Sequence, residues 1–319
     1  MEKKEVHMDK NQDIPVLAVS GLSVSFLMYD GIFGQKELRA ISDLSIQVHA
    51  GEILAVAGSS GSGKSLLASA ILGILPENAV TAGELRYHGR LLTPELQRRL
   101  RGTAIALVPQ SVDFLDPLMK AGAQADGHRK PCPTQERRRI FHRLGLPGET
   151  EKRYPFQLSG GMARRVLVST ALIADAQLII ADEPTPGMSL EQALEALRMF
   201  REMADGGKAV ILITHDIDLA VSFADRIAVF YAGTTVETAR AGDFQEGGAA
   251  LRHPYSKALW RALPQNGFEP TAGFQPYAGN LPKGCLFAPR CTRSTAKCMQ
   301  EAPCMRMLRG GEVRCFYAE

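Results

Sequence analysis

The chain alternates short apolar runs with longer amphipathic stretches from residue 16 to residue 235. The apolar runs are rich in Val, Ile, Leu and Ala, which is typical of buried strands. A helical stretch at residues 64–75 follows the first of them, and glycine and proline interrupt the pattern between elements. This alternation predicts an α/β layered domain. The predicted strands lie at residues 53–57, 104–108, 177–181 and 209–214.

Two parts of the chain depart from this pattern. Residues 110–159 are more charged and predict a small helical subdomain. After about His253 the chain becomes rich in Pro, Gly and Cys and loses its periodicity, which predicts a separate, loop-rich element. We therefore expect a main domain at residues 14–250, including the helical subdomain at about 111–160, and a C-terminal extension at 251–319.

Composition places the chain among globular proteins. Its 319 residues, 45% hydrophobic and 22% charged, allow one large domain with a small appendage. The longest apolar stretches are far shorter than the roughly 20 residues of a membrane span. The first ten residues are charged and lack the apolar core of a secretory signal, so we expect a cytoplasmic protein. A formal net charge of +3 is too small to indicate a nucleic-acid partner.

A glycine-rich loop joins the first predicted strand to the helical stretch, which is the context that a P-loop requires. Glycines let backbone N–H groups converge on phosphate oxygens, and the helix N-terminus adds partial positive charge. We expect Lys64 to reach the β- and γ-phosphates of ATP and the Ser65 hydroxyl to bind Mg²⁺. A chance turn is the alternative. The predicted nucleotide-binding residues are Gly58, Ser59, Ser60, Gly61, Ser62, Gly63, Lys64 and Ser65.

An acidic pair, Asp182 and Glu183, ends a later apolar run. A carboxylate at a strand end near a P-loop suits a Mg²⁺ site, so Asp182 is predicted to hold the ion directly or from the next layer of contacts. Glu183 is then placed to act as the general base on the water that attacks the γ-phosphate. Taken alone, such a pair is more often a solvated strand end, and its pairing with the P-loop favours the catalytic interpretation.

The segment Leu158-Ser159-Gly160-Gly161-Met162 resembles the signature motif of the ABC ATPase family, which other P-loop proteins lack. The resemblance implies a P-loop NTPase cassette with a RecA-like core, a β-subdomain and a helical subdomain. It also implies that Ser159, Gly160 and Gly161 form an anion cradle for the ATP held by a second subunit, so that two chains enclose two nucleotides. An ordinary helix cap is the alternative for this segment.

Three further positions match the family. Gln110 follows a predicted strand where the family has a glutamine that contacts Mg²⁺ and the attacking water and links to the transmembrane partner. His215 matches the histidine that contacts the γ-phosphate. Phe26 is the candidate for the aromatic residue that stacks on adenine, with Tyr29 and Phe33 as competitors and an ordinary core phenylalanine as the alternative.

One position departs from the family pattern. The loop after Asp-Glu-Pro-Thr usually ends in Leu-Asp, whereas this chain has Ser189 at the place of the aspartate. In the family this loop couples the two ATP sites, so the substitution leaves open how the sites communicate. A regulatory subunit that binds ATP without turnover is therefore one rival function. Glu183 is retained, and we expect hydrolysis.

The C-terminal residues resemble the extension of the peptide and nickel import branch of this family, on the segments 253–259 and 284–291. In that branch four cysteines can hold an iron–sulfur cluster. Four thiolates suit a [4Fe–4S] cluster or tetrahedral Zn²⁺, and thiols without metal are the third possibility. Cys304 is additional and Cys132 stands apart. The matching positions here are Cys285, Cys291, Cys298 and Cys315.

These resemblances imply an importer ATPase that powers uptake of di- or oligopeptides, with nickel or metal chelates as the alternative cargo. The implied partners are a second, homologous ATPase subunit, two transmembrane permease subunits and an extracytoplasmic substrate-binding protein. The expected location is the cytoplasmic face of the inner membrane, as a peripheral protein. The rival from another class is a soluble ABC ATPase that acts on ribosomes or DNA, but the interval from Lys64 to Ser159 leaves no room for a long coiled-coil insertion.

Overall fold

The computed structural model describes residues 14–30, 34–59, 61–127 and 134–319. Strands within these residues form one sheet of eight strands and one of four. In chain order they are β1 (Leu17–Asp30), β2 (Gly34–Val48), β3 (Ile53–Gly58), β4 (Ala79–Tyr87), β5 (Arg90–Leu91), β6 (Ile105–Val108), β7 (Leu178–Asp182), β8 (Ala209–Thr214), β9 (Arg226–Tyr231), β10 (Thr234–Arg240), β11 (Arg306–Leu308) and β12 (Gly311–Val313).

The α-helices are interspersed with these strands along the chain. None of the helices in the described part of the chain has both the length and the apolar character that a membrane span requires. In chain order they are α1 (Lys64–Leu72), α2 (Pro94–Leu100), α3 (Ala121–Asp126), α4 (Thr134–Arg143), α5 (Gly160–Ile173), α6 (Leu190–Asp205), α7 (Ile217–Phe223), α8 (Pro254–Arg261) and α9 (Ala296–Gln300).

The larger sheet has the strand order β11-β12-β10-β9-β3-β8-β7-β6. Its strands from β9 to β6 are parallel, and the helices along the chain provide the crossovers that parallel strands need. β3, β7 and β8 are buried along their whole length, as expected of strands covered on both faces. Their carboxyl ends lie side by side at one edge of the sheet, where ligands bind in such folds.

The smaller sheet is antiparallel, with the order β2-β1-β4-β5. Leu22 of β1 and Ile41 of β2 are fully buried in a core that also contains Leu67 of α1 and Val56 of β3. The smaller sheet therefore packs on the helix and strand that flank the P-loop. This arrangement corresponds to the β-subdomain that the family resemblance implies.

Helices α3 and α4 lie within the interval predicted as a helical subdomain, and α5 follows that interval. Ala125 of α3, Phe141 of α4 and Val166 of α5 are buried in one core. The residues described between 111 and 159 contain α3, α4 and short 3₁₀ turns, and α5 supplies the inner face on which they pack.

The C-terminal residues are tied to the main sheet. β12 pairs antiparallel with β10, so the β11–β12 hairpin extends the eight-stranded sheet. Tyr255 and Phe287 share a core with Tyr231 of β9. The sequence predicts that the C-terminal residues form a separate element, whereas in the structure they share a sheet and a core with the main domain. Strands of three residues are too short to show an alternating pattern in the sequence.

Candidate active site

The predicted P-loop joins β3 to α1. Gly61 and Gly63 have φ values of 75° and 93°, in the region that favours glycine. A Cβ at Gly63 would lie 2.9 Å from the Ala40 carbonyl oxygen, so a side chain has no room there. Gly63 also caps α1 without a side-chain hydrogen bond, so no cap competes with an anion for the first N–H groups of the helix. Ser60 lies outside the described residues.

Lys64 begins α1 and is buried. Its Nζ donates to the carbonyl oxygens of Gly58 and Ser59 at 2.9 and 3.0 Å. Burial lowers the pKa of its ammonium group, and the carboxylates of Glu183 and Asp182 oppose that effect. Lys64 therefore stands at the loop within the electric field of the acidic pair.

Asp182 ends β7 and is only 4% exposed. Its buried Oδ1 atom has no hydrogen-bond partner among the described residues. Desolvation raises the pKa of Asp182 and outweighs the opposing effect of the nearby Ser65 hydroxyl. Buried polar atoms are normally paired, and a divalent cation with oxygen ligands would pair this one. Ser65 and Asp182 therefore fit Mg²⁺ at the place that the sequence predicts.

Glu183 lies directly after β7 in a strained backbone conformation, with a φ of 48° that is uncommon for a residue with a side chain. Its N–H donates to the Ile213 carbonyl oxygen of the neighbouring strand at 2.9 Å. His215 follows that strand, and its Nδ1 lies 2.8 and 2.9 Å from the two carboxylate oxygens of Glu183. The structure thus brings the predicted base and the predicted histidine into direct contact, with Glu183 buried and His215 exposed.

Gln110 follows β6, the strand next to β7, and lines the same cavity as Asp182 and Glu183. Arg164, a buried residue of α5, donates to the carbonyl oxygens of Pro109, at 2.8 Å, and of Gln110. Desolvation lowers the pKa of Arg164. Sequence patterns did not indicate this residue, which joins the helix after the signature segment to the Gln110 segment. Its only sequence signal is a basic residue at a helix position that faces the core.

A cavity of about 610 Å³ lies at this edge of the sheet. Residues of β2 and of the C-terminal region, including Leu38, Tyr277 and Leu281, form its other wall. His215 does not line the cavity, but it contacts Glu183, which does. The predicted residues that line it are Gly61, Gly63, Lys64, Ser65, Gln110, Asp182 and Glu183.

The signature segment lies away from this cavity. The Ser159 Oγ accepts a hydrogen bond from the Met162 N–H at 3.3 Å and caps α5, and Ser159 and Gly160 are exposed. A Cβ at Gly161 would lie 2.7 Å from the Gly187 carbonyl oxygen, so the segment packs closely on the loop after Glu183. The helix cap is the alternative that the sequence offers for this segment, and its service to the nucleotide of a second subunit stays a prediction.

Phe26 and Ser189 lie in surroundings other than the nucleotide cavity. Phe26 packs against the core beneath the smaller sheet and does not line the cavity, as the core alternative expects. The Tyr29 side chain and Phe33 lie outside the described residues, as does Cys132. Ser189 caps α6 in a reciprocal pair with Gln192, and serine serves this position as well as aspartate does.

The four predicted cluster cysteines line one small cavity beside His253. Its volume of about 20 Å³ is the room of a single water molecule. Burial raises the pKa of the Cys285, Cys291 and Cys315 thiols. In the described residues no group of three or more His, Cys, Asp or Glu side chains is arranged to hold a metal ion. The residues share a place, but in this geometry they do not fit the predicted cluster or zinc.

The chain matches two protein families. The family described as ABC transporter matches residues 41–186, and the family described as oligopeptide/dipeptide transporter, C-terminal region, matches residues 236–298. Among solved structures, a dimeric ATP-binding cassette in a post-hydrolysis state with ADP and Pi is similar in fold. Its TM-score is 0.61 at 24% identity, over 70% of this chain and 98% of that chain.

Curated relatives match along most of their length. The dipeptide transport ATP-binding protein of Bacillus subtilis is 34% identical over 311 residues, which cover 90% of this chain and 90% of the relative. The oligopeptide transport ATP-binding protein of Salmonella typhimurium is 34% identical over 324 residues, with 94% and 93% covered. This chain therefore belongs to the ABC transporter family, in the branch of ATP-binding proteins that carry the oligopeptide/dipeptide transporter C-terminal region.

Proposed function

We propose that this chain is the ATP-hydrolysing subunit of an importer that moves di- or oligopeptides across the cytoplasmic membrane. The observation that carries the hydrolytic part is the meeting of Lys64, Ser65, Asp182 and Glu183 at one cavity. The cargo is supported by relatives named for dipeptide and oligopeptide transport, whose similarity extends through the C-terminal region.

The proposed reaction uses the residues at the end of the sheet. Lys64 and the P-loop N–H groups hold the β- and γ-phosphates, and Ser65, Asp182 and Gln110 hold Mg²⁺, which neutralises phosphate charge when it is bound. Glu183 accepts a proton from water as the water oxygen bonds to the γ-phosphorus. The bond from that phosphorus to the β–γ bridging oxygen breaks, and ADP and inorganic phosphate result.

His215 is proposed to orient the base. Because its Nδ1 lies within 3 Å of both oxygens of Glu183, the carboxylate has a fixed direction before nucleotide arrives. The strained backbone of Glu183, and the hydrogen bond from its N–H to the Ile213 carbonyl oxygen of β8, fix the backbone from which this side chain extends. A base that is already oriented loses little freedom when the reacting water arrives.

A second cassette and membrane subunits are the proposed partners. The exposed Ser159 segment suits the nucleotide of a second, homologous ATPase, which closes on this one. Phe114 and Leu118, which follow Gln110 in the chain, and Phe156, which precedes the signature segment, expose 64%, 85% and 73% of their surface. Two permease subunits, fed by an extracytoplasmic binding protein, are the partners proposed to cover these side chains. The chain would then lie at the cytoplasmic face of the inner membrane.

The domain limits and the iron–sulfur cluster stay predictions. A boundary near residue 250 is supported by the change in composition, although β10 and β12 share a sheet across it. The cluster is supported by the common cavity of the four cysteines. It is opposed by the geometry of the described residues, in which no three His, Cys, Asp or Glu side chains are arranged to hold a metal ion. Iron and acid-labile sulfide in the chain purified without oxygen would establish the cluster, and their absence would reject it.

The experiment that tests the proposed function is stimulation of ATP hydrolysis in a complex rebuilt in liposomes with the permeases and binding protein. Dipeptides and pentapeptides are compared with Ni²⁺ and with Ni²⁺ chelates. Stimulation by peptides supports peptide import, whereas stimulation by the metal species alone assigns a metal importer. A complex that no cargo stimulates overturns the transport function, and a matched Glu183→Gln complex gives the background rate.

A further inference from the structure

The C-terminal region reaches into the nucleotide cavity. Residues 275–281, here called the tail segment, supply five of the residues that line it. The polar wall, with Lys64 and Asp182, suits the phosphates. The facing wall is largely apolar, with Leu38, Ala40 and residues of the tail segment. The tail segment therefore faces whatever part of a nucleotide extends beyond the phosphates.

The tail segment is anchored at the P-loop. The Ser59 hydroxyl donates to the Gln275 Oε1 at 2.5 Å. Just before the segment, Arg290 donates to the carbonyl oxygens of Thr271 and Ala272 at 3.1 and 3.0 Å. Leu281, at the other end of the segment, packs against the core beneath it. These contacts hold the segment across the cavity.

Within the segment, the Tyr277 ring has a fixed place and an open face. The Asn280 N–H donates to the Tyr277 carbonyl oxygen at 2.8 Å and forms a turn. A Cβ at Gly279 would lie 2.6 Å from the Tyr277 ring, so the ring packs directly on the backbone of that turn. Tyr277 nevertheless exposes 67% of its surface and lines the cavity. An aromatic ring held on one side and open on the other is suited to stack on a nucleobase.

We propose that Tyr277 stacks on the base of the bound nucleotide, so that the C-terminal region completes the nucleotide site of its own chain. This inference rests on the proposed ATP-binding function. It assigns to the tail segment the aromatic contact that the sequence assigns to Phe26, which is partly buried against the core and does not line the cavity. Nucleotide binding and the position of the tail segment are then coupled through one side chain.

The test is equilibrium binding to the full chain by titration calorimetry, with ATP and with inorganic tripolyphosphate, which has no base. Tyr277→Ala is expected to weaken ATP binding about tenfold, in line with the loss of one stacked base, and to leave tripolyphosphate binding unchanged. Tyr277→Phe keeps the ring and is expected to bind ATP as the wild type does. The matched control is Phe274→Ala, an aromatic residue of the same region that is 95% exposed and does not line the cavity.

Other outcomes separate this inference from the proposed function. Unchanged or tighter ATP binding by Tyr277→Ala overturns the stacking role, and tighter binding shows that the tail segment obstructs the cavity instead. Equal weakening of both ligands also overturns it, because the residue then acts through the phosphates or the fold. If the wild-type chain binds neither ligand, the ATP-binding function itself fails.

Discussion

Replacement of Glu237 by Gln is expected to loosen the C-terminal region from the main sheet. Glu237 lies on β10 and is fully buried. Its Oε1 accepts from the Arg252 N–H at 2.9 Å and from the Arg252 guanidinium at 3.2 Å, and its Oε2 accepts from the His253 N–H at 2.8 Å. Arg252 in turn donates to the carbonyl oxygens of Leu308 and Arg309, both at 2.6 Å. One carboxylate thus orders the start of α8 and the cation that holds the β11–β12 hairpin.

The magnitude follows from burial. Removing one partner of a buried ion pair costs about 3–5 kcal/mol, because the other charge stays buried without compensation. Gln keeps one oxygen that still accepts a hydrogen bond, and Asp243 remains 2.8 Å from the Arg252 guanidinium, so the lower end, about 3 kcal/mol, applies. The matched control is Glu84→Gln. Its pair with Arg86 is roughly half exposed, and such pairs contribute less than about 1 kcal/mol.

The assay is urea unfolding of the isolated full chain, with limited proteolysis to find where the chain opens first. Glu237→Gln is expected to lower the free energy of unfolding by about 3 kcal/mol and to expose the C-terminal residues to the protease. Arg252→Met alone is expected to cost at least as much, because it leaves the Glu237 carboxylate buried without its cation and removes the bonds to the Leu308 and Arg309 carbonyl oxygens. A cost of Glu237→Gln no larger than that of Glu84→Gln would refute the role assigned to this ion pair.

Three further predictions concern the active site, a buried histidine and a helix cap. Glu183→Gln is expected to lower ATP hydrolysis by the rebuilt complex at least about 100-fold with ATP affinity retained, and an unchanged rate would remove Glu183 as the base. Burial lowers the pKa of His253 to about 3. Above pH 6.5 the side chain is neutral in both the folded and the unfolded chain, so it does not reduce the free energy of unfolding. Below that pH the unfolded chain binds a proton that the folded chain excludes, and stability should fall by about 2 kcal/mol by pH 5. In urea unfolding at each pH, His253→Asn, which still caps α8, should reduce the fall by that amount, and an equal fall in both proteins would contradict the assignment. Ser189→Asp should change the free energy of unfolding, measured by thermal denaturation, by no more than about 0.5 kcal/mol, because both side chains cap α6. A larger loss would show another role for Ser189.

Local patterns predicted the parts of the fold whose causes are local. The apolar run predicted at 209–214 is β8, with the same limits, because all six residues are buried and the pattern is continuous. The helix predicted at 64–75 ends at Leu72, because Gly73 adopts the left-handed conformation and its N–H donates to the Ala70 carbonyl oxygen of the last turn. The P-loop and the acidic pair were also predicted, since each is a contiguous motif at a strand end.

Contacts between distant residues were not predicted. Arg164 bonds to a carbonyl oxygen 54 residues earlier in the chain, and nothing in the intervening sequence indicates that contact. Tyr277 reaches the cavity because a hairpin and a buried ion pair dock the C-terminal region, and neither leaves a periodic signal. Phe26 was predicted from its place before the second strand, which does not determine the face of β1 on which it lies. Register and docking, rather than propensity, decided these outcomes.

The same docking limits how the P-loop can move. A Cβ at Gly58 would overlap the Phe230 carbonyl oxygen, so β9 confines the loop on one side. On another side the Ser59 hydroxyl donates to the Gln275 Oε1. A loop confined between a strand and the C-terminal region cannot shift toward phosphate without moving one of them, and the exposed Gln275 contact is weaker than the paired backbone of a strand. Nucleotide binding should therefore move the tail segment before it moves the core of the sheet.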